Sequence, residues 1–221
     1  NKYLGRVTLR TAMANSLNSV AAQLANDVGP RNVVAVAHRL GITSHLGTDA
    51  SIALGTSEVT LLELTSAFTP FANGGYSVVP FSVRRIVTRD GQIIYERSGD
   101  GLGQAMSNRD LGSMNSMMRA VVNEGTAKKA QIPGWDVAGK TGTSQDWRDA
   151  WFLGYTTKFV GGVWIGNDDD KPMAKITGGE MSARIWSDIM KVALKDIPPE
   201  PLPGAKQAEE YLSSETQDRL N

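Results

Sequence analysis

The chain has no cysteine among its 221 residues. That excludes disulfide staples, thiolate zinc sites and a cysteine nucleophile. It has two histidines, His38 and His45, so a histidine-rich metal centre or a Ser-His-Asp triad has little to draw on. It lacks a surplus of either charge: 23 Lys and Arg balance 23 Asp and Glu, which gives no general drive toward nucleic acid or anionic membrane. No apolar run reaches the roughly 20 residues of a membrane span. No basic-then-apolar leader opens the sequence. The start at Asn1, without Met, reads as a processed chain or a fragment of something longer.

What is present is ordinary for a folded domain: 41% hydrophobic and 21% charged residues, enough for one large core with or without a tail. Residues 8–28 carry apolar positions at helical spacing (Leu9, Ala12, Met13, then Val20, Ala21, Leu24, Val28), with Thr8 as N-cap. The poor helix formers Asn15-Ser16-Leu17-Asn18 predict a tight joint, with a second helix from about Ser19. Gly29-Pro30 starts a third, with Val33, Val36, Ala37 and Leu40 inward and Gly41 ending it. A helix over 61–72 follows Ser57 or Thr60 as cap. The period then changes to that of strands over 78–88 and 92–96, around the hairpin signal Arg89-Asp90-Gly91. The glycine-rich 98–104 reads as a surface excursion. A helix over 108–123 turns Leu111, Met114, Met118, Val121 and Val122 inward, and Gly125-Thr126 breaks it.

Next comes a strand containing Lys140, a polar loop over 144–148, and a hairpin of strands over 150–156 and 158–167. Gly154, Gly161, Gly162 and Gly166 leave room for a helix to lie close on that sheet. The helix is predicted over 181–194, with Ile185, Trp186, Ile189, Met190 and Ala193 inward. Pro198, Pro199, Pro201 and Pro203 predict a stiff linker after it. This order of elements is α+β: an antiparallel sheet flanked by helices, with a helical lobe.

Two groups carry chemistry. Lys140-Thr141-Gly142-Thr143 puts a cation, two hydroxyls and a flexible glycine along one strand, a set suited to an anion or oxyanion. Ser16 and Asn18 sit at the joint between helices. Ser-x-Asn and Lys-Thr-Gly belong to the signature set of β-lactamases and penicillin-binding proteins, together with Ser-x-x-Lys. Longer stretches agree: Thr8-Leu9-Arg10, Leu54-Gly55 with Glu58-Val59, Ala72 to Gly75, Glu124-Gly125-Thr126, Asp149 to Phe152, Gly154-Tyr155, and Val163 to Gly166 with Asp168-Asp169. The chain resembles the C-terminal part of the penicillin-binding transpeptidase domain of bifunctional (class A) penicillin-binding proteins, over about Thr8 to Leu194.

The resemblance implies a β-lactamase/transpeptidase-like fold over residues 1–197, with a proline-rich linker and polar tail over 198–221. It implies a serine D,D-transpeptidase that cross-links peptidoglycan stem peptides through an acyl-enzyme and is trapped by β-lactam antibiotics. Neither cofactor, metal nor nucleic acid enters that chemistry. Ser16 would relay a proton to the leaving group and Asn18 would bond the substrate amide. Lys140 would supply positive potential. Thr141 and Thr143 would bind the substrate carboxylate beside Gly142, and the Thr143 N–H would be half of an oxyanion hole, where losing one donor costs about 3 kcal/mol. The expected setting is the periplasmic or extracellular face of the cytoplasmic membrane, with an anchor and a glycosyltransferase domain upstream.

The departure is that no lysine has a serine three positions before it, so there is no Ser-x-x-Lys. In the family that motif precedes Ser-x-Asn, which implies that the nucleophile lies upstream of Asn1 on an N-terminal segment of the same protein. A degenerate homologue, a penicillin sensor or a non-catalytic peptide binder is the other account, and a β-lactamase a third. Plainer roles stand beside each residue. Ser16 and Asn18 suit a helix cap, and Lys140 a strand-edge charge. His38 suits surface or filling, and Asp168-Asp169-Asp170 a solvated loop. Trp151 and Trp164 suit the core, and Trp147 the rim of a cleft. If Lys140 supplies field rather than core, Lys140→Ala should cut acylation by penicillin strongly and leave the melting temperature near wild type. A loss of stability as large as a core truncation would count against that role.

Overall fold

The computed structural model describes residues 4–99 and 101–204; most of the expected polar tail lies outside them. Thr8 opens the helical lobe, its side chain accepting the Thr11 N–H at the start of α1 (Leu9–Ala14). The joint falls where the sequence put it, and α2 (Asn18–Val28) follows, one residue earlier than expected. Gly29, with φ +86°, turns the chain, and Pro30 begins α3 (Pro30–Arg39), where its missing N–H goes unneeded. The lobe hides less than its periodicity suggested: Leu9, Leu24, Val28 and Val36, all expected inward, are exposed.

A capping box of Thr60 and Glu63 starts α4 (Leu61–Ala72). Glu63 also accepts the hydroxyls and N–H groups of Thr43 and Ser44, which ties the loop after α3 to this helix. Those bonds, the Thr43 hydroxyl foremost, hold the Glu63 carboxyl well below the usual carboxylate range. The expected hairpin exists as β2 (Arg85–Val87) and β3 (Ile93–Glu96), after β1 (Tyr76–Ser77). Its first strand is shorter than predicted, because Pro80 brings no ladder donor and interrupts residues 78–84. The glycine-rich excursion contributes β4 (Gly103–Gln104), paired with β1. Ser107 caps α5 (Asn108–Asn123).

The main sheet is antiparallel in the order β5 (Ala138–Thr143), β6 (Asp149–Tyr155), β7 (Val160–Gly166). Its centre is a row of glycines. Gly139 pairs with Gly154, and Gly154 with Gly161. A Cβ on Gly154 would lie 2.6 Å from the Phe152 ring and 2.8 Å from Trp186. One on Gly161 would lie 2.8 Å from the Trp186 Nε1. The row is a slot for Trp186, which is 1% exposed, donates Nε1–H to the Gly161 carbonyl and meets Phe152 edge-on at 5.3 Å. Gly162, also expected to receive this helix, faces the other way, toward Leu61 and Thr65 of α4.

Trp186 belongs to α6 (Ala183–Ala193), which is entered through a π-helical turn, Gly178–Ser182. Two of the five residues expected inward are buried, Trp186 and Met190. Ile185 and Ile189 are 39% and 57% exposed, and Ala193 is exposed too. The glycine slot admits one side chain, and Trp186 fills it. The inward line therefore runs Ala183, Trp186, Met190, Leu194, one step around from the isoleucines. Trp151 and Trp164, expected in the core, sit against each other on the outer face instead; Trp164 is 40% exposed and donates to Asp149.

The proline-rich stretch, expected as a stiff linker, packs on the domain over 200–204. Leu202 is 1% exposed, and its N–H donates to Asp136, which pairs with Arg119 at 2.7 Å. The Asn115 amide donates to the carbonyls of Phe71 and Pro203 and accepts the Tyr155 hydroxyl at 2.6 Å. An extended proline segment leaves its carbonyls unpaired, and this buried network takes one of them. Burial raises the Tyr155 hydroxyl pKa well above its ordinary value, so it stays a donor. Gly161→Val should expel Trp186 from its slot, cost about 1–3 kcal/mol by overpacking, and lower the melting temperature by about 3–10 °C. Thermal unfolding with tryptophan emission measures both; unchanged values would show that the slot does not hold the ring.

Candidate active site

Ser16 owes its position to the way α1 ends. The Leu17 N–H donates to the Ala12 carbonyl at 3.0 Å and the Ser16 N–H to the Met13 carbonyl at 3.1 Å. This is a Schellman closure, whose left-handed position glycine usually fills. Ser16 fills it with φ +52°, at a cost of about 1–2 kcal/mol. Leu17, not Ser16 or Asn18, is the N-cap of α2, with no side-chain capping bond, so the plain capping role falls away. Asn18 is the exposed first residue of α2.

The other wall is β5. It is an edge strand, paired only with β6 among the described residues, so its outer edge has no strand partner. The Lys140 Nζ donates to the Ser16 Oγ at 2.8 Å and to the Thr141 carbonyl at 3.0 Å. An ammonium has three donors, so one remains for a ligand. No described carboxylate forms an ion pair with Lys140. Burial lowers its pKa from the usual 10.5 to about 8, so the cation still predominates at neutral pH. Because Ser16 Oγ accepts from Lys140, its own proton is free to be given away.

The two threonines are held by groups that sequence reasoning did not assign to the site. The Thr141 and Thr126 hydroxyls are 2.7 Å apart. The Thr143 Oγ accepts the Gly178 N–H at 3.2 Å. Gly178 reaches it because it has no side chain: a Cβ there would lie 2.1 Å from the Trp151 carbonyl and 2.5 Å from that of Gly142. The signal for Gly178 was the pair Gly178-Gly179 after Thr177. Thr126 was singled out only as the end of α5 and within the stretch Glu124-Gly125-Thr126 that carries the resemblance, with no role at the site attached to it.

The remaining candidates lie elsewhere. His38 sits with Nδ1 2.7 Å from the Ile42 carbonyl, and His45 is an exposed loop residue. Asp169 pairs with Lys171 and Asp170 with Arg148. Trp147, 39% exposed and with φ +55°, accepts the Met173 N–H on its carbonyl, which pins the loop after β5. Among the described residues no three His, Asp or Glu gather as a metal site. The arrangement suits an anion presented along a strand edge, beside a hydroxyl that can pass on a proton.

The family described as "Penicillin binding protein transpeptidase domain" matches residues 1–191. Penicillin-binding protein 1A of Aquifex aeolicus is 40% identical over 200 residues, covering 90% of this chain and 27% of that protein. Penicillin-binding protein 1A of Neisseria meningitidis is 37% identical over 201 residues, covering 88% and 25%. The chain thus spans about a quarter of the length of the curated relatives it matches. Among solved structures, the PonA1 protein of Mycobacterium tuberculosis in complex with penicillin V aligns with TM-score 0.82 and 26% identity, over 91% of this chain and 60% of that one. With residues 1–191 of 221 accounted for, the chain belongs to the penicillin-binding protein transpeptidase domain family.

Proposed function

We propose that the chain is the larger, C-terminal portion of a serine D,D-transpeptidase domain that cross-links peptidoglycan stem peptides and is acylated by β-lactams. The single observation that carries this is the 2.8 Å bond from the Lys140 ammonium to the Ser16 hydroxyl, which joins two motifs 124 residues apart. Its chemistry needs a nucleophile, and we assign that to a Ser-x-x-Lys on the segment of the same protein before Asn1. The relatives' greater length supports this.

In this reading the stem peptide lies along the open edge of β5, with its terminal carboxylate at Lys140, Thr141 and Thr143. The upstream serine attacks the penultimate D-Ala carbonyl. The carbonyl oxygen becomes an oxyanion beside the Thr143 N–H. Ser16, already an acceptor from Lys140, passes its proton to the departing D-Ala amine, and Asn18 holds the peptide amide. An amine of a second stem then takes the acyl group, or water takes it in a carboxypeptidase side reaction. Penicillin, bound by the PonA1 relative, would stop at the acyl-enzyme. A membrane anchor upstream and a periplasmic or extracellular site belong to the same proposal, as does the division at residue 197, beyond which residues 200–204 still pack on the domain. No helix among the described residues is long and apolar enough to cross a membrane.

Labelled penicillin applied to the protein with its upstream segment tests the reading. Acylation of a serine before Ser16, with multiple turnover of a D-Ala-D-Ala peptide, is the expected result. Acylation without turnover would make it a sensor, and no acylation would sink both. The pH dependence is a separate test. Lys140 acts as a cation with pKa about 8, so acylation should fall as pH rises through about 8. Lys140→Arg keeps its charge over that range and should flatten the fall. Stability should move the other way. Between about 8 and 10.5 the unfolded lysine holds a proton that the folded one has lost, so the Lys140 contribution to stability rises with pH across that window. An acylation rate that does not fall above pH 8 would remove the cation from the mechanism.

A further inference from the structure

We infer that Thr126 is a positioning residue that locks the two walls of the cleft together and aims the Thr141 hydroxyl proton at the ligand carboxylate. Its backbone N–H donates to the Ala14 carbonyl at 3.1 Å, at the end of the helix that presents Ser16. Its hydroxyl lies 2.7 Å from that of Thr141, on the strand that presents Lys140. One residue therefore touches both walls, by different atoms.

The surroundings leave it little freedom. A Cβ on Gly125 would fall 2.0 Å from the same Ala14 carbonyl, so α1 and the end of α5 approach as closely as backbones allow. On the other side a Cβ on Gly179 would fall 2.1 Å from the Thr126 carbonyl, so the π-helical turn is pressed against it as well. Next door Arg10 grips Glu124 with two bonds, at 2.9 and 2.6 Å, a forked pair that fixes α1 on the end of α5. The two side chains are 40% and 57% exposed, so the pair sets orientation more than stability.

The polarity of the hydroxyl pair follows from its use. Two hydroxyls at this distance share one hydrogen between their oxygens, and one of them donates. A Thr141 that binds a carboxylate has to spend its proton there. Thr126 is then the donor to Thr141, and its own other bonds are made by the backbone. This inference rests on the carboxylate-binding role of β5 proposed above, which Thr126 deepens by setting the direction of one of its donors.

The experiment uses the protein with its upstream segment and follows acylation by a penicillin and by the methyl ester of the same penicillin. Thr126→Val keeps the shape and the Ala14 bond but removes the hydroxyl. It should slow acylation by the free acid about three- to tenfold, the worth of one hydrogen bond, and leave acylation by the ester and the melting temperature unchanged. Thr126→Ser should restore the free-acid rate. Equal slowing of acid and ester, or a lowered melting temperature with no rescue by serine, would make Thr126 a structural prop and overturn the inference. An unaltered free-acid rate in Thr126→Val would overturn it as well. A wild-type protein that is not acylated by either compound would instead overturn the transpeptidase reading, and this inference with it.

Discussion

A cation held partly out of water, with no ion-pairing carboxylate among the described residues, is the constraint around which this structure is arranged. Lys140 keeps its charge only at a reduced pKa and spends two of its three donors on a serine hydroxyl and a backbone carbonyl. Neither neutralises it. The energy of that unpaired charge is available to an incoming anion, which explains why the nearby groups are hydroxyls and N–H donors rather than acids. The scaffold has to hold the charge at the surface of the sheet without burying it further, and β5 at the edge does so.

Holding it requires close backbone approaches at several points, and glycine supplies them. Gly125 lets α1 meet α5, Gly178 lets the π-helical turn reach Thr143, and the row Gly139, Gly154, Gly161 seats Trp186 beneath the strands. Each is a place where any side chain would force two packed elements apart. The cleft is thus set from behind by helix packing, while its front presents few groups.

Much of this was legible in the sequence because it is local or periodic. The Lys140 strand, the break at Ser16, the helices over 61–72 and 108–123, and the glycine-lined sheet all announce themselves within a dozen residues. What was not legible depends on contacts between distant parts. The inward line of α6 turns on which single side chain enters the glycine slot, and hydrophobicity alone favoured Ile185 and Ile189 equally with Trp186. The stretch around Leu202 is anchored by Asp136 and Asn115, which lie far off in sequence. Thr126 stood in a stretch that carries the resemblance, but its role was hidden because its partner Thr141 is on another element. Ser16 announced a joint but not its left-handed backbone, since nothing distinguishes it locally from a serine in a turn.

That left-handed serine separates two kinds of fitness. Glycine at position 16 would relieve the strain and suit the helix closure better, while removing the hydroxyl that Lys140 holds. Selection for folding alone would drift toward glycine, and a stabilised library sorted by heat would enrich it. On the proposed mechanism, serine at this position is local rule-breaking of a functional kind, in which a protein keeps less stability than its fold permits.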